Sequence, residues 1–224
     1  IHWKHVRGPA TRGAVMDPSD DPARFDSGHV GVGDVQPDGA GFEMWYFGGD
    51  RNLAQLGELR TRGFPLRIGR AQSRDGLHWT RIDGPARGAV LDIGGPDAPD
   101  AASVGWPQVL KLQPDLWRMY YHTVHRELGF VICAAESADQ GRSWKKLGVL
   151  LGRGTAGRFD VGGASTRQVF RQRHHGQERF VMLYEGWGAD RRPSIGIAES
   201  RDGLDWRRVD GPLPTAAILE PAPR

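Results

Sequence analysis

The chain has 224 residues, of which 38% are hydrophobic and 25% charged, a composition typical of a globular domain long enough to bury a substantial core. Its formal net charge of +3 and the absence of any basic run interleaved with aromatics exclude a nucleic-acid face, and no stretch of apolar residues is long enough for a membrane span. A single cysteine, Cys133, excludes an internal disulfide and a cysteine-based metal site, and its apolar surroundings from Phe130 to Ala135 predict a small buried thiol.

The chain opens on Ile1-His2-Trp3, with no initiator methionine and no signal peptide, so its start is expected to be trimmed and its compartment is left open. Strands are predicted in chain order at 30–35, 42–47, 67–72, 104–110, 117–122, 129–136, 164–170, 180–185 and 194–199. These runs are short, rich in aromatic or β-branched residues, and bounded by glycine or polar turns. The nearest approach to a helix, Asn52–Arg60, is too short to build on. Arg171, Arg173, His174 and His175 fall at a predicted hairpin tip, where a solvated loop is expected.

Self-similarity organises these strands. Ser73-Arg74-Asp75-Gly76-Leu77-His78-Trp79 returns as Ser137-Ala138-Asp139-Gln140-Gly141-Arg142-Ser143-Trp144 and again as Ser200-Arg201-Asp202-Gly203-Leu204-Asp205-Trp206. Ile1-His2-Trp3 reads as the tail of a fourth copy. Its sequel Arg7-Gly8-Pro9 matches Asp83-Gly84-Pro85 and Asp210-Gly211-Pro212. Trp3, Trp79, Trp144 and Trp206 recur at intervals of 76, 65 and 62 residues. Serine and aspartate can bond their own backbone, glycine takes positive φ freely, and tryptophan can fold back over the turn, so the motif reads first as a structural staple. With the tryptophan opening a fourth strand, each repeat is predicted to be a four-stranded antiparallel blade, and the whole an all-β propeller.

Ser137–Trp144 is similar to the Asp-box of sialidase-like propellers. The two shorter copies, with Phe25-Asp26-Ser27, Trp106-Pro107-Gln108-Val109, Phe159-Asp160-Val161-Gly162 and a following Met-x-Tyr strand, resemble the five-bladed glycoside hydrolase clan of arabinanases, levansucrases, invertases and mannoside phosphorylases. The resemblance covers nearly the whole chain. It implies one propeller domain over 1–224, with repeats near 4–79, 80–144 and 145–206 and fragments at both ends. Five blades would then require further blades or a neighbouring polypeptide, since open strand edges are normally covered.

The resemblance also implies a carbohydrate substrate and two carboxylates across a glycosidic bond. The aspartates of the clan's Asp-Pro pattern would fall at Val32, Trp106 and Thr166, none of them acidic; only Pro107 keeps the proline. Asp34, two residues beyond Val32 on the same face, and Asp26 are alternative carboxylates. Asp26, Asp100 and Asp160 recur before each inner strand, which suits a turn or cap as well as a sugar contact. Phe47, His122 and Glu185 occupy one equivalent position with three chemistries, and Glu185 in Tyr184-Glu185-Gly186-Trp187 is the candidate general acid. His122 and Arg167 are candidates for binding a hydroxyl or an anionic group, and Trp106 and Trp187 for stacking on a sugar face. The clan sometimes carries a channel cation, but no acidic loop here has calcium spacing, so no metal or cofactor is expected. Two functions follow: a glycosidase-like enzyme that cleaves or phosphorolyses a glycosidic bond with Glu185 and an aspartate such as Asp34 or Asp26, or a non-catalytic propeller that binds glycans or serves as a subunit.

Overall fold

The computed structural model describes residues 2–56, 59–125, 127–174 and 176–222. The chain divides into two compact units, one formed by Ile1–Ile93, Ser103–Trp117 and Ser137–Trp144, the other by Gly94–Ala102, Arg118–Glu136 and Lys145–Arg224. Both are built from antiparallel strands, and the fold is that of β-propeller blades. Among the described residues the only helical element is a short 3-10 turn at Thr11–Gly13, and no helix is long and apolar enough to cross a membrane.

In the first unit, strands β1 (His29–Asp38), β2 (Gly41–Gly49), β5 (Arg67–Ser73) and β6 (Trp79–Ile82) form one antiparallel sheet in the order β1-β2-β5-β6. A small hairpin, β3 (Leu53–Leu56) with β4 (Leu59–Arg62), is inserted between the second and third strands of that blade. It occupies the segment that sequence reading left unassigned at Asn52–Arg60, and it accounts for the longest repeat interval; Gly57 and Glu58 lie outside the described residues. Strand β7 (Gly105–Gln113) belongs to the same unit and packs across β1 and β2. Strand β2 is buried on both faces over most of its length, the pattern of a strand sandwiched between layers.

The second unit carries most of β8 (Leu116–His125), then β9 (Gly129–Ser137), β10 (Lys145–Leu151), β11 (Gly163–His174), β12 (Gln177–Trp187), β13 (Pro193–Ser200) and β14 (Arg207–Val209). Strands β11 to β14 form a four-stranded antiparallel sheet in sequence order, and one parallel pair, Gly163 with Phe130, joins β11 to β9. Burial along β12 alternates from Arg179 to Trp187, so one face of this blade is packed and the other only half-buried. Cys133 is buried in β9, and burial pushes its thiol up to about 12.

The three Ser-x-Asp turns share one wiring. Ser73, Ser137 and Ser200 hydroxyls accept the backbone N–H of Gly76, Gly141 and Gly203 at 2.9, 2.7 and 2.9 Å. The aspartates accept further backbone N–H groups, and each tryptophan Nε1–H donates to the glycine carbonyl of its own turn, at 3.0, 3.2 and 3.0 Å. The extra residue of the second copy, Gln140, sits at φ 60°. The Gly-Pro loops repeat as closely: at Gly8, Gly84 and Gly211 an added Cβ would meet a backbone oxygen at 2.2 Å, so only glycine fits. The start of the chain therefore contributes a third such loop, although Trp3 is almost fully exposed and in no strand. Ile1 lies outside the described residues. So does His175, at the tip between β11 and β12.

Candidate functional site

The recurring aspartates are buried in ion pairs. Asp26, Asp100 and Asp160 each accept the hydroxyl of a second-strand tyrosine, Tyr46 at 2.9 Å, Tyr121 at 2.8 Å and Tyr184 at 2.8 Å. Each also meets a fourth-strand cation: Arg81 at 2.7 Å, Lys146 at 2.6 Å and Arg208 at 2.6 Å. In the first and third repeats a second arginine, Arg24 or Arg158, lies beside the same carboxylate. Burial, with the aspartate charge second, raises the Tyr46 and Tyr184 hydroxyls well above the ordinary range, so they remain donors. The arrangement ties strand two to strand four in every repeat. It turns these three carboxylates away from solvent.

Asp34 has a different task. Its Oδ2 accepts the Val109 backbone N–H at 3.0 Å and the Gln36 side-chain N–H at 2.6 Å, clamping β1 to β7. The approach is close enough that a Cβ at Gly33 would meet Pro107 at 2.5 Å. Beside this clamp Trp106 adopts φ 49°, a left-handed conformation that is costly for a bulky residue. Its indole is 40% exposed and lies on Phe47, with ring centroids 4.5 Å apart. His29 adds an edge contact to Phe47, and desolvation lowers its imidazole pKa.

In the second unit the other candidates form one connected chain. Trp187 Nε1–H donates to Ser165 Oγ at 2.9 Å, and the Ser165 hydroxyl donates to Glu185 Oε2 at 2.9 Å. Trp187 stacks on Phe130 with centroids 5.1 Å apart, and Phe130 meets the edge of His122 at 6.3 Å. Arg167, also buried, donates to the Tyr120 carbonyl. Burial, with the Arg167 charge second, pulls His122 down to about 3, so this imidazole is neutral at ordinary pH.

The tyrosine–aspartate bonds verify the register predicted from sequence: Phe47, His122 and Glu185 each follow the tyrosine that holds the recurring aspartate. The positions matching the missing Asp-Pro aspartates, Val32, Trp106 and Thr166, are all exposed. Sequence reasoning missed Ser165 and Phe130. Ser165 lies where the register slips between Ala164 and Arg167, an irregularity that only the folded strand pair shows. Among the described residues no cluster of three or more histidine, cysteine or acidic side chains is arranged to hold a metal ion.

No family model matches the chain, and no curated protein matches it by sequence. Solved structures do. The chain is similar to fructan 1-exohydrolase IIa from Cichorium intybus, at 15% identity and TM-score 0.58 over 80% of this chain and 32% of that one. It is similar to a β-1,2-mannobiose phosphorylase from Listeria innocua, at 16% identity and TM-score 0.57 over 86% and 46%. It is also similar to an N-acetylgalactosamine deacetylase from F. plautii, at 15% identity and TM-score 0.56 over 91% and 58%. The chain thus spans less than two thirds of the length of each. What it shares with them is the propeller fold.

Proposed function

We propose that this chain is a carbohydrate-active propeller of glycosidase type that recognises glycosides through Trp106 in the first unit and through the Glu185 network in the second. The observation that carries this reading is Trp106. A half-exposed indole held in a left-handed conformation and tilted against Phe47 offers a flat apolar face at a backbone cost of about 1–3 kcal/mol, and such strain clusters at ligand sites. The C–H face of a sugar ring suits that surface. Glu185, oriented by Ser165, would accept a hydroxyl; neutral His122 and cationic Arg167 would sit behind it. The likeness to structures named for fructan, mannobiose and N-acetylgalactosamine chemistry supports the same substrate class.

Cleavage would need a second carboxylate alongside Glu185 as general acid. Asp26, Asp100 and Asp160 are committed to buried tyrosine and cation partners, and Asp34 already accepts two hydrogen bonds through one oxygen. The geometry therefore favours recognition over turnover.

The test is a glycan panel screened against the wild-type chain and Trp106→Gly. Glycine relieves the left-handed strain and removes the platform. Binding should weaken at least about tenfold, or about 1.4 kcal/mol, with the thermal midpoint little changed. Equal affinity for the two proteins would overturn the assignment. Glu185→Gln should likewise weaken any glycan held by the second unit while leaving the fold intact.

A further inference from the structure

The third repeat has an open sheet face that the first repeat keeps covered. On β12, Val181, Leu183 and Glu185 are half-buried and alternate with fully buried neighbours, whereas Glu43, Trp45 and Phe47 at the matching positions of β2 are all buried. The next strand repeats the difference. Ile68 and Leu91 are 0% and 3% exposed, but their counterparts Ile195 and Leu219, joined by the same isolated bridge, are 37% and 59% exposed. Phe170 on β11 adds a further exposed ring. Exposed apolar side chains grouped on one sheet face in this way, beside Glu185, mark an interaction surface.

The first unit shows what fits such a face. There β7 and the residue before it supply the cover: the Val104 N–H donates to the Leu66 carbonyl at 3.0 Å, the Trp106 ring lies tilted on Phe47, and Lys111 pairs with Glu43 at 3.0 Å. Trp117 and Trp144 close on Trp45 with edge-on contacts at 6.3 and 5.5 Å. The natural occupant is thus the inner edge of another blade. One such edge stands free in the chain itself: Val35 of β1 is 45% exposed, while Val109, at the matching place in β7, is 0% exposed. Phe42, matching the buried Trp117, is exposed as well.

We propose that the open face of the third repeat docks against the first repeat of a second copy of this chain, head to tail, repeating between molecules the joint that β7 makes inside the first unit. The contact is heterologous: one copy offers Ile195, Leu219 and Phe170, and its partner offers the β1 edge around Val35 and Phe42. Such contacts close into a ring when the rotation allows. The assembly requires no glycoside, so it stands or falls separately from the proposed function.

Light scattering on the full chain at tens of micromolar should give a mass of twice 24.7 kDa or a higher multiple. Ile195→Asp and Val35→Asp, both at exposed positions, should each shift the chain to monomer with an unchanged far-UV circular dichroism spectrum. Because each variant keeps the face that the other lacks, an equimolar mixture should regain mass through the one intact joint. A monomeric wild-type chain would overturn the proposal and leave the face to a different polypeptide. So would a dimer that survives both substitutions, or a mixture that stays monomeric.

Discussion

The first and third repeats share a skeleton and differ in surface chemistry. Both carry an aspartate held by a tyrosine and two arginines, Asp26 with Tyr46, Arg24 and Arg81, and Asp160 with Tyr184, Arg158 and Arg208. Both close on a Ser-x-Asp-Gly turn sealed by tryptophan. At the position after the tyrosine they part: Phe47 is buried under Trp106, whereas Glu185 is half-buried and bonded to Ser165. Residues that recur in every blade build the blade. Residues that change at a fixed position carry whatever is particular to this protein.

The comparison is most exposed to failure at the buried aspartates. Asp26→Ala and Asp160→Ala should each destabilise the chain by about 3–5 kcal/mol, because each leaves a buried tyrosine and two partly buried arginines without their shared acceptor. Urea unfolding checks this. A cost below about 1 kcal/mol for either would mean that the two repeats are not built alike, and would free that carboxylate for chemistry.

A smaller effect should appear at His122, which stands where the first repeat has Phe47. Its folded pKa of about 3 lies below the unfolded value of 6.5, so between these limits the unfolded chain binds the extra proton. Its neutral burial therefore costs nothing above pH 6.5 and destabilises progressively as pH falls. From pH 6.5 to 5 this group should remove about 2 kcal/mol, and His122→Phe should flatten that part of the stability profile. An unchanged slope would place the imidazole in a wetter setting than its burial indicates.

The smallest expected effect concerns the turns. Ser73→Ala and Ser200→Ala should each cost about 1 kcal/mol, since each strips the same glycine N–H of its acceptor. Thermal melts of the two variants should agree within error. A clear difference would show that the apparent repeat hides unequal local stability.

The turns, the Gly-Pro loops and the four strands per repeat were legible in the sequence, because their signals are local. A serine bonds the residue three or four ahead, and a tryptophan covers its own turn. Locality fails at the inserted hairpin β3–β4, whose eight strand residues carry no distinctive turn signal and which the repeat alignment passed over. The site was half legible. Alignment alone put Phe47, His122 and Glu185 in register and singled out Trp106, but it could not separate the buried aspartates from the available glutamate.

That separation needed the tertiary structure. Asp26 meets Tyr46 across 20 residues and Arg81 across 55, and nothing in its own neighbourhood announces either partner. The left-handed backbone of Trp106 and the stack linking Trp187 to Phe130 are likewise products of packing. The sequence by itself determined the blade, through short-range turn chemistry repeated three times. Only the fold decided which carboxylates are spent on holding it together, because desolvation and ion pairing depend on residues brought together from far apart in the chain.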